Sequence, residues 1–562
     1  MPIKTTMTGF DMVWAITQNT VNSQLDWLSG QTIPTQVSIG DINNDAGAIQ
    51  GGIIGPPTVN FATGEPHLAY LYLKFKEGIF SYWSGHGRNQ IIKQVHINGW
   101  ILAFSVHLNI AQFAQDYVKD SKAVPPEILD KLTKFDDTMF SIQSIFLDFE
   151  NSDLSTYNDL QSDIPITADA SGAPISISEA NQIRDTFNGM LRVWLLNHKG
   201  TDNPFILGYS VTAKQTSDDV KAVLNPTGAN FSTHGYEYPG NLNDSSKDGL
   251  STFNFLMVTG NRNILGDPTL MRADSGSFHK NLVESNDIDG KAIIAKEVFF
   301  EKYLWDLVVK PFQDKVLTLG DYAHARDDAR NGQSDFTEEI NDKTHTFLPD
   351  DDGLGWHYGD HVKLSWKEKG GETYHHQRES EQNLQFKVRV GTAPDPRPEM
   401  MGAPRLTLTI TGSVYRYEWD QVDQYFGKLG DSYLGKGWAS AAIAYTITIQ
   451  FVAGTDGKIS IFHTSLQSDP VTTSDTGGVY NIADIFTSLL NLHTIADDWS
   501  NNATSLANVN KDVAQQLIDA TGPILDSAMT KVILPGRNEF FYKNIQLNTD
   551  EDVEIDLQYK TT

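Results

Sequence analysis

Five side chains able to bind a metal lie close together in the middle of the chain: His357, Asp360 and His361, then His375 and His376. Imidazole and carboxylate groups are the ligands zinc and other transition metals take. A helical zinc site requires H-E-x-x-H, which sets two imidazoles on one helix face beside a glutamate base. This segment has Gly359 between its first two histidines and no glutamate after His357, so solvated loop histidines are the expected reading. A metal-dependent hydrolase is the alternative. A second candidate is "DINNDAG", which sets Asp41, Asn43 and Asp45 at the oxygen spacing of a calcium loop. That loop needs glycine at its sixth position and a bidentate glutamate at its twelfth, and these positions hold Ala46 and Gly52. An Asx-rich turn is expected, with a calcium-dependent adhesion module as the alternative. Asp148 and Glu150 stand two apart on an expected strand, as glycosidase carboxylates might. In a chain with 71 Asp and Glu such a pair arises by chance.

The familiar nucleophile and phosphate signatures do not occur. There is no G-x-S-x-G elbow, no G-x-x-x-x-G-K-[ST] loop and no G-x-G-x-x-G after a strand. With no cysteine, disulfides, thiolate metal sites and a thiol nucleophile are excluded. No catalytic residue, metal site or cofactor is implied, and the chain is expected not to be an enzyme.

The elements that would position any site are large. A chain of 562 residues exceeds one core and suggests two or three domains. A formal charge of −28 argues against nucleic acid, whose binding rests on Lys and Arg neutralising phosphates. It also disfavours adsorption to anionic lipid surfaces, though not a ligand held inside the fold. The segment MPIKTTMTGFD has no apolar core or small-residue cleavage site, and no apolar run approaches the ~18–20 residues of a membrane helix. A soluble protein is expected, cytoplasmic or secreted without a Sec-type signal.

Residues 8–28 read as one amphipathic helix of about five turns. Thr8 and Asp11 form a variant capping box, and Phe10, Val13, Trp14, Val21, Leu25 and Leu28 share a face. Leu68–Trp83 reads as a hairpin about Glu77-Gly78, and Gln90–Asn109 as strands broken at Asn98-Gly99. Ser141–Phe149, Phe205–Val211 and Phe253–Val258 are further strands, and Ser178–Trp194 a helix. A second cycle begins with a helix over Lys291–Val316, bent or ended at Pro311. Strands follow at Leu384–Val390, Arg405–Trp419 and Ser440–Leu466, the last turning at Gly454–Gly457. Helices over Ile482–Trp499 and Ala503–Val532 precede closing strands Glu539–Leu547 and Val553–Tyr559. Asp321–Glu381, rich in Asp, Gly and His, reads as a long surface insertion. The class is α+β.

Four strings carry a family resemblance. "GFDMVWA" with Val21-Asn22 resembles the opening of the OrfX-type proteins and their larger companion, encoded beside clostridial neurotoxin genes and built on the TULIP (tubular lipid-binding) fold. "NGWILAFSVHLNIA" (Asn98–Ala111), "FNFLMVTGNR" (Phe253–Arg262) and "ILPGRNEFFYKNIQL" (Ile533–Leu547) are similar to later strings of the same family, in the same order. The resemblance implies two TULIP-like modules, 1–285 and 286–562, each a long helix wrapped by a strongly curved antiparallel sheet, the second carrying the 321–381 insertion. It also implies an apolar ligand, a lipid in most of the superfamily, lying in the seam between helix and sheet. Val13, Trp14, Val21, Leu25, Trp100 and Phe104 are the candidates to line that seam. The function so implied is a lipid or apolar-ligand binder acting as an accessory component of a bacterial toxin or insecticidal system, with other proteins of the gene cluster as possible partners. A protein-interaction scaffold with a closed core is the alternative.

Overall fold

In a computed structural model of the chain, the described residues are 7–85, 87–113, 123–199, 203–214, 224–238, 245–262, most of 264–314, 334–340, 346–368, 374–394, 404–425, 431–453, 459–467, 471–478, 531–536 and 539–560. The described residues are mostly antiparallel sheet, strongly curled into a half-barrel, with few helices among them.

Residues 12–16, MVWAI, are apolar without interruption, and all of Met12–Thr17 is buried. A run this short cannot be told from a buried helix by periodicity alone. It is a strand, β1 (Met12–Thr17), so the five-turn helix expected from residue 8 is corrected. β1 lies at the centre of a six-stranded sheet, between β11 (Thr252–Val258) and β12 (Gly290–Ile294). Trp14 stands opposite Phe255 on one side and Ala292 on the other. β10 (Gly228–His234) flanks β11, while β23 (Val553–Lys560) and β22 (Glu539–Leu547) complete the sheet beyond β12. The closing strands are where the sequence placed them. The helix expected from Lys291 begins instead at Lys296, because residues 290–294 are spent on β12.

Helix α1 (Gln18–Leu28) follows β1 directly, with the Thr17 hydroxyl accepting the Thr20 amide as its N-cap. Val21, Leu25 and Leu28 face the core, while Asn19 and Asp26 face solvent. The Asn22 side chain clamps α1 to β4 (Thr58–Asn60): it donates to the Val59 carbonyl at 3.1 Å and accepts the Val59 amide at 2.7 Å.

A nine-stranded sheet is built around β5 (Leu68–Ser84), which is one bent strand and not the expected hairpin. Its first half pairs with β7 (Ile101–Gln112), its second with β6 (Ile91–His96), and β3 (Gly47–Ile54) crosses the bend. Gly78 supplies the bend at φ +143°; a Cβ there would stand 2.8 Å from the Gly52 Cα and 2.9 Å from Ile97 Cδ1. β2 (Gln36–Ile39), β8 (Phe140–Asp148), β9 (Ile206–Ala213) and the two-residue β21 (Val532–Ile533) extend the sheet. Besides α1, two helices among the described residues pack on it. The short α2 (Pro126–Leu132) buries Ile128 and Leu132 against Ile142, Tyr209 and Val211. The longer α3 (Ile177–Leu196), close to the expected bounds, sets Phe187 against the rings of Phe75, Phe80 and Trp100 at 5.1–5.3 Å.

The third sheet has eight strands: β13 (Ser334–Ile340), β14 (Leu348–Pro349), β15 (Gly355–Glu368), β16 (Tyr374–Pro394), β17 (Pro404–Tyr425), β18 (Asp431–Ala453), β19 (Ile459–Gln467) and β20 (Val471–Gly478). At 21–23 residues, β16–β18 each run to about 70 Å. β13, β14, β15 and the start of β16 occupy much of what reads as a loop over 321–381, a correction. Its charged residues alternate with apolar ones along a sheet wet on one face, which looks like loop composition. Leu384, Phe386, Val388 and Val390 are buried on alternate positions, as are Leu406, Leu408 and Ile410 in the next strand. The covering element is helix α4, Lys296–Val298 continuing in the wider π winding over Phe299–Val309. Its Phe299 meets Phe451 at 6.3 Å and its Trp305 meets Trp356 at 6.0 Å. The expected helices over 482–499 and 503–532 fall outside the described residues, except that Lys531 is in a turn and Val532 in β21.

Candidate ligand-binding site

The residues with metal-binding chemistry are engaged elsewhere. His357 and His361 project from β15 on one face, and Asp360 is buried on the other. His357 Nδ1 lies 2.8 Å from Asp350 Oδ1, and His361 Nε2 lies 2.9 Å from Glu381 Oε1. Asp350 also binds Lys387 and Arg389. Burial pushes its carboxyl up, but the bonds from His357 and Lys387 outweigh this and hold it below the ordinary range. The side chains of His375 and His376 lie outside the described residues. Among the described residues no three His, Asp or Glu side chains converge as a metal set. In "DINNDAG" the Asp41 carboxylate accepts from the Asn43 amide and from both asparagine side chains at 2.8–3.0 Å, the geometry of an Asx turn. Asp148 ends β8 and accepts from Asn109 and Asn151, while Glu150 turns outward to Lys199. The two carboxylates do not face one another across a cleft.

The six seam candidates are all deep in the main core, each at 2% exposure or less. Val13 and Trp14 lie on β1, Val21 and Leu25 on α1, Trp100 just ahead of β7 and Phe104 within it. Trp100 reaches Phe187 of α3, whereas Trp14 packs edge-on against Phe540 of β22 at 6.0 Å.

That Phe540 contact leads to an open space. A cavity of about 380 Å³ lies between the loop after α2 and the C-terminal strands β21, β22 and β23. Its size is in the range of small-molecule pockets. Phe135, Val532, Ile533, Leu534, Phe540 and Tyr559 give it an apolar wall. The wall is backed by rings: Phe540 packs on Tyr559 at 5.1 Å, and the Tyr559 hydroxyl bonds Gln24 of α1 at 3.1 Å. Sequence reasoning missed this site because its two walls lie some four hundred residues apart, on segments brought together by tertiary contacts such as the pairing of β21 with β9. The usable signal was "VILPGRNEFFY" (532–542), with more apolar and aromatic residues than a closing strand pair needs.

Lysines surround the space. Lys131 and Lys134 stand on its rim with Glu539, and Lys131 Nζ lies 3.6 Å from the Glu539 carboxylate. Lys531 lies behind Phe135, 4% exposed, its Nζ 4.7 Å from the Phe135 ring centre and 4.2 Å from that of Phe140. Burial among these rings pulls its pKa down to about 8. Among the described residues no carboxylate forms an ion pair with Lys531.

What the fold and site define is a mostly antiparallel, half-barrel sheet protein with an apolar cavity beneath a cationic rim. No family model and no curated protein matches the chain. Among solved structures it is similar to P47 from Clostridium botulinum A2, at 13% identity over 98% of both chains with a TM-score of 0.41. It is also similar to P47 of Clostridium botulinum E1, at 14% identity over 98% of this chain and 99% of that one, again with a TM-score of 0.41. A lipopolysaccharide binding protein aligns over 98% and 99% of the two chains at 8% identity, with a TM-score of 0.24. Among the described residues, no helix is long and apolar enough to cross a membrane.

Proposed function

We propose that this chain is a non-enzymatic binder of a lipid or other apolar small molecule, and that the ligand occupies the cavity between the loop after α2 and strands β21–β23. The cavity itself carries the reading: about 380 Å³ walled by Phe135, Ile533, Leu534 and Phe540 is a space water fills poorly and an acyl chain fills well. Each methylene sheltered there is worth roughly 0.8 kcal/mol. The four strings that resemble OrfX-type proteins support a bacterial setting beside a toxin or insecticidal system, in an accessory role.

Native mass spectrometry of the gently purified protein, before and after organic extraction, tests the reading. A mass excess removed by extraction, and much reduced in an Ile533→Trp variant that fills the cavity, is the expected result. A protein that carries no such mass, and takes up no added apolar ligand while folded, would make the space a packing defect. The scaffold reading with a closed core would then replace the binder.

A further inference from the structure

Lys531 poses a specific problem. A lysine ammonium at 4% exposure loses most of its hydration, and such a group is ordinarily matched by a carboxylate. Other lysines of this protein have oxygen partners: Lys131 meets Glu539, Lys199 meets Glu150, and Lys214 meets the Asp137 carbonyl. Lys531 has the faces of Phe135 and Phe140, which offset only part of the desolvation. Phe135 is also cavity wall, so the same ring borders the space and meets the buried cation.

The rim adds to it. Lys131 and Lys134 lie three residues apart where α2 ends, and of the residues lining the space only Glu539 is acidic. Two lining cations stand against one anion, with Lys531 buried beside Phe135 as a third positive charge, in a protein whose formal charge is −28. In a partly desolvated site this local surplus attracts a negative group far more strongly than it would in water.

We infer that the ligand is an anionic amphiphile with a single acyl chain: the chain lies along Leu534 and Phe540, and the acid group sits at the Lys131–Lys134 rim, within the field of Lys531. This rests on the binding reading above and adds the ligand's charge to it. The inner cation and the rim cations act on the same head group from two sides, so the cavity selects for charge as well as for apolar bulk.

Calorimetric titration with dodecanoate and with the uncharged alcohol dodecanol, both below their aggregation concentrations, separates the two claims. The expected result is a preference of about tenfold or more for dodecanoate, corresponding to about 1.4 kcal/mol. That preference should fall several-fold in Lys531→Met and in Lys134→Gln. Lys134 is exposed, so its variant keeps the fold whether or not Lys531→Met does. If both ligands bind equally, or the preference survives in Lys134→Gln and in folded Lys531→Met, the anionic assignment is overturned and the apolar-cavity reading stands. If neither ligand binds the folded wild-type protein, both readings fall.

Discussion

Arg262 Nη1 donates to Asp11 Oδ1 at 2.8 Å, although 251 residues separate the two. The other carboxylate oxygen accepts the Thr259 amide at 2.7 Å, and Arg262 also bonds the Gly9 carbonyl. Asp11 thus ties the entry of β1 to the exit of its partner β11. It does not cap a helix, as its spacing from Thr8 suggested.

Removing this tie should be costly. Asp11→Ala leaves a buried amide unbonded and leaves half-buried Arg262 with Asp267 as its remaining carboxylate, for a loss of about 2–4 kcal/mol. Arg262→Met, on the more exposed side of the pair, should lose about 1 kcal/mol. Urea unfolding midpoints compare them, and equal losses would mean that Asp11 acts only through the ion pair.

Gly78→Ala tests the bend in β5. The new methyl would press on Gly52 and Ile97 at a φ that L-residues avoid, so a loss of about 2–3 kcal/mol is expected. Gly99→Ala also sits at positive φ, but in open space, and should lose about 1 kcal/mol. Thermal melts of the two variants should separate crowding from backbone strain; indistinguishable melting temperatures would show that the packed bend is not what fixes Gly78.

Glu179 gives the acid side of the stability curve a specific contributor. Its Oε1 accepts from Ser84 at 2.7 Å, Tyr82 at 3.0 Å and Lys93 at 3.0 Å. The Ser84 bond leads in holding its pKa below 4.5, against the opposing effect of burial. A carboxyl depressed on folding stabilises the protein above its unfolded value and loses that contribution as pH falls through the folded one. Glu179→Gln should therefore cost about 1–2 kcal/mol near neutrality, with the gap to wild type closing below pH 4.5. A gap that stays constant down to acid unfolding would show that the charge is irrelevant.

Lys531 should act in the opposite pH range. Its folded pKa of about 8 lies below the usual 10.5, so between these values the unfolded chain holds more protons. Stability of the ligand-free protein should rise with pH across that window. Lys531→Met should stabilise by about 1–3 kcal/mol near pH 7, an advantage that fades towards pH 10.5. A variant no more stable than wild type at pH 7 would mean that the buried ammonium is already compensated.

Sequence patterning located the elements with one wet face and blurred those with none. The closing strands Glu539–Leu547 and Val553–Lys560 alternate and were placed almost to the residue. β1 and β12 are buried on both sides, so their apolar runs merged with the helices that follow them. Three of the four family-like strings come together in the six-stranded sheet: Asp11 beside Met257 and Arg262, and β22 separated from β1 by β12 and β23. The cavity was not legible, because it exists only where Phe135 and Phe540, four hundred residues apart, border the same space.

The six-stranded sheet also constrains the order of events during synthesis. β1 emerges from the ribosome early, yet the strands that flank it lie beyond residue 250, and β22 and β23 beyond residue 538. Until those residues are made, MVWAI is an uncovered apolar strand with both edges open, a template for pairing with the wrong chain. So many distant pairings slow the search for the native state. A nascent chain of this protein should therefore depend on a holding chaperone between the synthesis of β1 and that of β23, and it should aggregate if released before β22 and β23 are in place.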